Sequence, residues 1–252
     1  VGVILASVVR IWFPKIVISR SIHGVRKSQY MRSLVDRNKF YHLKKCFELF
    51  MERRALKNSD ILLPVGKNLE DEIVSLWGID RENCVTIGNG VNLDRFQQSR
   101  SKFELRQAYE IDSNTLVLLF VGSLNKRKNE NLLIEIFESL QSHNVDVTLI
   151  IIGDGINRKS LISSAEENSK DSQKIIFIKN VHYNAISDYF SLADIFVFPS
   201  SYEGTPKVII EAMGCGLPIV ASNINAHKNI IAACNGVLVE DFSADAYTAA
   251  IL

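Results

Sequence analysis

Short runs of β-branched and aliphatic residues alternate along the chain with stretches in which apolar positions recur every three or four residues. The runs occupy 15–22, 61–65, 84–87, 115–121, 145–152, 174–178, 195–198 and 219–222. Continuous apolar runs of this length predict strands buried on both faces, as in a parallel sheet. The longer spacing predicts a helix over 41–57, where Leu43, Phe47, Phe50 and Met51 recur, and another over 129–140, carried by Leu132, Leu133, Ile136 and Phe137. Further helices are expected over 185–192, 206–215 and 244–252, and residues 1–13 read as a buried helix. Strand, helix, strand in this rhythm predicts parallel α/β layers, with ligands beyond the carboxyl ends of the strands.

Turn signals divide the pattern. Gly88-Asn89-Gly90 closes the run at 84–87, and the polar, mixed stretch 92–114 reads as a connection. The predicted organisation is 1–95, a connection over 96–114, and a second α/β domain over 115–252. Because 1–13 shows neither an initiator methionine nor a cleavage site, the chain is expected to begin inside its first domain.

Composition narrows the partners. The 252 residues are 47% hydrophobic and 23% charged, with a formal net charge of +1, which argues against a dedicated nucleic-acid binder. That balance hides a basic segment between Arg20 and Lys57, where Asp36, Glu48 and Glu52 are the only acids. Three readings stay open for it: a solvated helical face, a surface for anionic lipid worth roughly 1 kcal/mol per cation, or a phosphorylated acceptor. Cys46, Cys84, Cys215 and Cys234 are scattered without metal-ligand spacing, as in a reduced, cytoplasmic protein without structural zinc. No apolar run reaches the ~20 residues of a spanning helix.

The densest chemistry lies in 199–222, PSSYEGTPKVIIEAMGCGLPIVAS. A strand ends at Pro199, a loop carries Glu203 and Gly204, and Thr205 is expected to cap the next helix with Pro206 in its first position. The amides at the helix start, Thr205 to Val208, then face the strand ends as a seat for phosphate. Glu211, more than one turn in, can accept both hydrogens of a vicinal diol such as a ribose. Glu203 can reach the hydroxyls of a sugar attached to that phosphate. Two glutamates near one helix are more commonly a solvated face; the strand–loop–helix frame is what favours a site.

This segment closely resembles the E-x7-E signature of retaining GT-B glycosyltransferases, specifically glycosyltransferase family 4 (glycosyl transferases group 1). The resemblance implies an α/β fold of two Rossmann-like domains facing a cleft, the N-terminal one incomplete here. It implies that Glu203 contacts the donor sugar and Glu211 the nucleotide ribose. Residues 121–133, VGSLNKRKNENLL, resemble the family's G-R-L-x-x-x-K-G segment, with Gly122 on the first glycine and Lys128 on the lysine that neutralises the donor diphosphate. Ser123 stands at the family's arginine and Asn129 at its second glycine; Lys126 or Arg127 could supply the missing cation, against the simpler reading of an exposed loop. The implied donor site is therefore Gly122, Ser123, Arg127, Lys128, Glu203, Gly204, Thr205, Pro206, Lys207, Val208 and Glu211, with Lys128 and Glu203 also catalytic.

Two further elements fit. Residues 16–24, IVISRSIHG, resemble the family strand ending in His-Gly, which places His23 near the transferred sugar as a catalytic residue. Gly153-Asp154-Gly155 resembles a family turn, and 87–96, IGNGVNLDRF, resembles the element leading into the interdomain connection. The implied activity is transfer from a nucleotide-sugar, such as a UDP- or GDP-sugar, to a glycan or lipid-linked acceptor in surface polysaccharide or lipopolysaccharide assembly. No cofactor or metal is expected, because no D-x-D pattern is present. The expected location is cytoplasmic, with peripheral seating on the inner face of the plasma membrane as the option that the lipid reading of the basic segment would bring. A non-catalytic nucleotide-sugar-binding module is the alternative; a dinucleotide enzyme ranks far lower, since no G-x-G-x-x-G follows a strand.

Overall fold

The computed structural model describes residues 19–22, 39–96, 101–168 and 174–252. The chain divides into two units, Val1–Asn89 and Gly90–Leu252, at the turn signal Gly88-Asn89-Gly90. The helix expected over 1–13 and the predicted catalytic His23 lie outside the described residues.

In the first unit, β1 (Ser19–Ile22) runs parallel to β2 (Ile61–Pro64), with Ser19 opposite Ile61 and Ile22 opposite Pro64. Helix α1 (Lys39–Lys57) precedes β2, and α2 (Lys67–Trp77) follows it. Leu69, Ile73 and Trp77 are four apart, so one stripe of α2 faces inward and joins Ile22, Leu56, Leu62 and Val65 in a small core. Gly78 ends α2 at φ 62°, a left-handed position that suits glycine. Glu70 is buried beside this core. Hydrogen bonds from Lys67 and Thr86, with one from Arg81, hold its carboxyl at about 2 despite desolvation.

Two expectations change here. The strand predicted over 84–87 reduces to a single bridge between Leu62 and Cys84, although Val85 and Ile87 still donate to Leu62 and Pro64. Of the apolar positions that predicted α1, Phe47 and Phe50 are exposed and Met51 is half-buried, whereas Ala55 and Leu56 are buried.

The second unit begins with a short 3₁₀ turn (Leu93–Arg95) and α3 (Lys102–Ala108). It continues β3 (Leu116–Val121), α4 (Glu130–Ser142), β4 (Val147–Ile152), α5 (Arg158–Asn168), β5 (Ile175–Ile178), α6 (Ile186–Leu192), β6 (Ile195–Phe198), α7 (Lys207–Gly214), β7 (Ile219–Ser222), α8 (Asn225–Lys228), β8 (Gly236–Val239) and α9 (Ala244–Ile251). All pairings are parallel, and the order is β5-β4-β3-β6-β7-β8. This is the doubly wound arrangement in which winding reverses between the first strand, β3, and the fourth, β6. β4 is buried at all six positions, which is why it reads as an unbroken apolar run.

Residues 101–114, predicted as connection, are packed into the second unit. A capping box between Ser101 and Glu104 starts α3. The buried Arg106 guanidinium donates to Leu192 O, Ser113 O, Thr115 O and Asp194 Oδ2, tying α3 to the strands. Phe96 is buried against Tyr183 and Phe190.

Candidate functional site

The reversal point places the loop after β3 beside the loop after β6. Gly122 leaves β3 with its N–H on Ile152 O. The two loops are then stitched together: Ser201 N donates to Arg127 O at 2.9 Å, and Asn129 Nδ2 donates to Pro199 O at 2.9 Å. Asn129 sits at φ 50°, the left-handed turn that ends the Lys126–Lys128 3₁₀ turn and starts α4. Gly153 is required for close approach, since a Cβ there would lie 1.8 Å from Gly122 O.

This stitching aims Lys128 inward. Lys128 Nζ lies 2.6 Å from Glu203 Oε1, and both side chains are 8% exposed. It also stands 4.3 Å above the Phe198 ring, a second attraction for a cation. Burial pushes the Lys128 ammonium pKa down, and Glu203 opposes that shift. Ser200 Oγ donates to the same Glu203 oxygen at 2.5 Å. The Arg127 guanidinium remains 44% exposed, 3.6 Å from Glu203 Oε2, and donates to Tyr202 O at 3.3 Å. Arg127, Lys128 and Glu203, three predicted site residues, thus form one cluster.

The other predicted positions surround it along the chain. Ser123 Oγ accepts from Asn125 Nδ2. Gly204 and Thr205 are half-buried, Pro206 is buried, and Lys207 is exposed. The cap is displaced from expectation: Pro206, not Thr205, is the N-cap of α7, with no side-chain capping bond. A proline brings no capping oxygen and no N–H, so the amides of Lys207 and Val208 open the helix, ahead of Ile209, whose N–H goes to Pro206 O. Glu211 is half-buried on α7; burial raises its carboxyl pKa, opposed by Lys207. Its carboxylate is not a partner of the Lys128–Glu203 pair.

Behind the cluster is a polar layer that motif reading missed. Ser222 Oγ donates to Ser200 O. His227, fully buried, approaches Ser222 O through Nδ1 at 2.8 Å. A carbonyl only accepts, so Nδ1 carries the proton and Nε2 is left as an acceptor, and Nε2 finds no partner. Desolvation lowers the His227 pKa to about 4. The available signal was the placement of Ser200 and Ser222 at the ends of adjacent strands.

The architecture is α/β of the GT-B type, the fold of the glycosyltransferases it matches. The chain belongs to the glycosyl transferases group 1 family, whose model matches residues 101–252. The putative teichuronic acid biosynthesis glycosyltransferase TuaC of Bacillus subtilis (strain 168) is 28% identical over 218 residues, covering 86% of this chain and 52% of TuaC. The UDP-Gal:alpha-D-GlcNAc-diphosphoundecaprenol alpha-1,3-galactosyltransferase of Escherichia coli is 27% identical over 195 residues, 71% of this chain and 50% of that one. The solved structure of Anabaena HepE in complex with UDP and glucose shares the fold with a TM-score of 0.77 at 18% identity, over 98% of this chain and 63% of that one. The chain spans about half the length of the curated relatives it matches. No helix among the described residues is long and apolar enough to cross a membrane.

Proposed function

We propose that this protein is a retaining family 4 glycosyltransferase that moves a sugar from a UDP- or GDP-sugar to a glycan or lipid-linked acceptor in surface polysaccharide or lipopolysaccharide assembly. The observation that carries the reading is the buried Lys128–Glu203 pair at the reversal point of the sheet, just before the open amides of α7. In this reading Lys128, Arg127 and the amides of Lys207 and Val208 take the diphosphate. Glu203 takes the sugar hydroxyls and Glu211 the ribose diol, with Gly122, Ser123, Gly204, Thr205 and Pro206 shaping the loops around them.

As the bond between the anomeric carbon and the diphosphate oxygen breaks, negative charge grows on the leaving group, where preorganised cations and amides act most strongly. The acceptor oxygen forms the new bond on the same face, and its proton passes to the departing diphosphate. His23 lies near the transferred sugar in this reading, and no metal takes part. The relatives' names support the substrate class: a teichuronic acid glycosyltransferase and a galactosyltransferase acting on a diphosphoundecaprenol-linked sugar. The basic segment from Arg20 to Lys57, with Phe47 and Phe50 exposed on α1, supports seating at an anionic membrane surface on the cytoplasmic side.

Titration of UDP, GDP, UDP-glucose and UDP-galactose against the protein tests the donor assignment. Binding that needs the diphosphate and survives EDTA is expected. An affinity unchanged between uridine and UDP would remove Lys128 from its proposed role. NMR of the product then reads anomeric configuration, and an inverted product overturns retention.

A further inference from the structure

Strands β6 and β7 pair as far as Phe198 opposite Ala221. The next residue after Phe198 is Pro199, which has no N–H to extend the ladder. A side chain takes over at that point: Ser222 Oγ, at the end of β7, donates to Ser200 O. His227 donates in turn through Nδ1 to Ser222 O at 2.8 Å, and its ring packs 5.6 Å from that of Phe198. Ser200, Ser222 and His227 are all fully buried.

Ser200 carries this order into the site. Its hydroxyl has one proton and three acceptors within reach: Glu203 Oε1 at 2.5 Å, Arg127 O at 3.2 Å and Tyr202 O at 3.3 Å. The placement of the Ser200 backbone decides among them. Held by Ser222, the hydroxyl sits closest to the carboxylate, where the hydrogen bond is charge-assisted. Glu203 Oε1 then accepts from both Ser200 and Lys128. Glu203 Oε2 has Arg127 Nη1 at 3.6 Å, beyond hydrogen-bond reach. One oxygen of the carboxylate is anchored, and the other is not.

Stability of the fold does not call for this layer. An apolar side chain at position 227 would pack on Phe198 without withdrawing an imidazole from water, and His227 Nε2 has no partner. The layer costs the fold desolvation; its consequence is the placement of one carboxylate.

We propose that Ser222 and His227 are positioning residues for the donor sugar: through Ser200 they pin Glu203 Oε1, which leaves Oε2 to accept from a sugar hydroxyl. The inference rests on the reading of Glu203 as the sugar ligand, and adds two residues that touch neither sugar nor nucleotide.

Calorimetric titration with UDP, UDP-glucose, UDP-galactose, GDP and GDP-mannose tests it. The readout is the Kd of each nucleotide-sugar divided by the Kd of its own diphosphate. Ser222→Ala should raise that ratio about fivefold, the scale of one hydrogen bond, with the diphosphate Kd itself within about twofold of wild type because Lys128 stays in place. Ser222→Thr keeps the hydroxyl and should restore the ratio. A role in stability alone would lower the melting temperature of Ser222→Ala and leave the ratio unmoved, since both ligands meet the same folded protein. His227→Phe removes the N–H to Ser222 O but keeps a ring against Phe198, and serves should Ser222→Ala fold poorly. It should raise the ratio about threefold. An unchanged ratio in either folded variant, or a ratio raised equally by Ser222→Thr, overturns the proposal and leaves the transferase reading standing. Wild-type protein that binds none of the five nucleotides overturns the transferase reading and the proposal with it.

Discussion

Lys128 and Glu203, 75 residues apart in sequence, are each other's partner: Nζ to Oε1 is 2.6 Å, with Ser200 Oγ completing the contact. The cation proposed for the diphosphate and the carboxylate proposed for the sugar are therefore one coupled unit. Removing either partner from a buried pair leaves an uncompensated charge, a loss of about 3–5 kcal/mol. Lys128→Met and Glu203→Gln should each destabilise on that scale in chemical denaturation. The double variant should recover most of the loss, as coupled neighbours do. Nucleoside diphosphate binding should separate them, being lost in Lys128→Met and kept in Glu203→Gln. Additive stability changes would show that the pair is not coupled.

Glu211 should behave in the opposite way. Its half-buried carboxylate is raised in pKa by desolvation, so its charge costs stability at neutral pH. Glu211→Ala should leave the melting temperature level or higher while weakening UDP or GDP by about 1.5–3 kcal/mol, the scale of a charged contact to the ribose. Equal nucleotide affinity in variant and wild type removes Glu211 from the site.

The elements legible in the sequence were those buried on two faces or striped along one. β3 and β4 read as apolar runs because helices cover both sides, and α4 shows its stripe because Leu132, Leu133, Ile136 and Phe137 all face the core. Helix α5 has only Leu161 and Ala165 in the core and carries no such stripe. β8, at the sheet edge, is four residues with mixed burial. Helix α3 was hidden in a polar stretch, although its capping box, Ser101 and Glu104, was on view. At the site, the glutamates and Lys128 stood out by spacing. Their pairing did not, because it depends on the strand order that brings the β3 and β6 loops together. The Pro206 cap differs because the chain enters α7 one residue later than the Thr-Pro pattern suggests.

His227 sets a pH dependence. Burial lowers its pKa to about 4 from an ordinary 6.5, against the opposing hydrogen bond to Ser222 O. Between those values the unfolded chain binds the proton and the native protein does not. The stability contribution is therefore complete above pH 6.5 and is lost as pH falls toward 4. At pH 5 the loss is about 2 kcal/mol, or roughly 4–8 °C in melting temperature for a chain of this size. His227→Gln should shrink the drop between pH 7 and pH 5 by that amount. An identical drop in the variant would place the pH dependence elsewhere.

Three helices of the second unit end the same way, and they differ in the residue that takes the left-handed position. After α7, Gly216 stands at φ 71°, its N–H on Met213 O, and Leu217 N returns to Ala212 O. After α4, Asn144 at φ 60° does the same with Gln141 and Leu140. After α3 the position falls to Glu110, φ 55°, with Ile111 N on Arg106 O. Glycine suits this geometry and asparagine tolerates it, but glutamate carries a Cβ penalty of about 1–2 kcal/mol. Its charge also sits at the negative end of the helix. Glu110 is exposed, so removing its side chain forfeits little packing. Glu110→Gly should therefore stabilise by about 0.5–1 kcal/mol after the added freedom of the unfolded chain is subtracted. Gly216→Ala is the reciprocal variant: a Cβ there meets nothing within 4 Å, so its cost is conformational alone, about 1 kcal/mol. Each change moves the melting temperature by roughly 2–4 °C per kcal/mol, upward for Glu110→Gly and downward for Gly216→Ala. A Glu110→Gly protein that melts below wild type would mean that the glutamate side chain contributes more than its backbone strain costs.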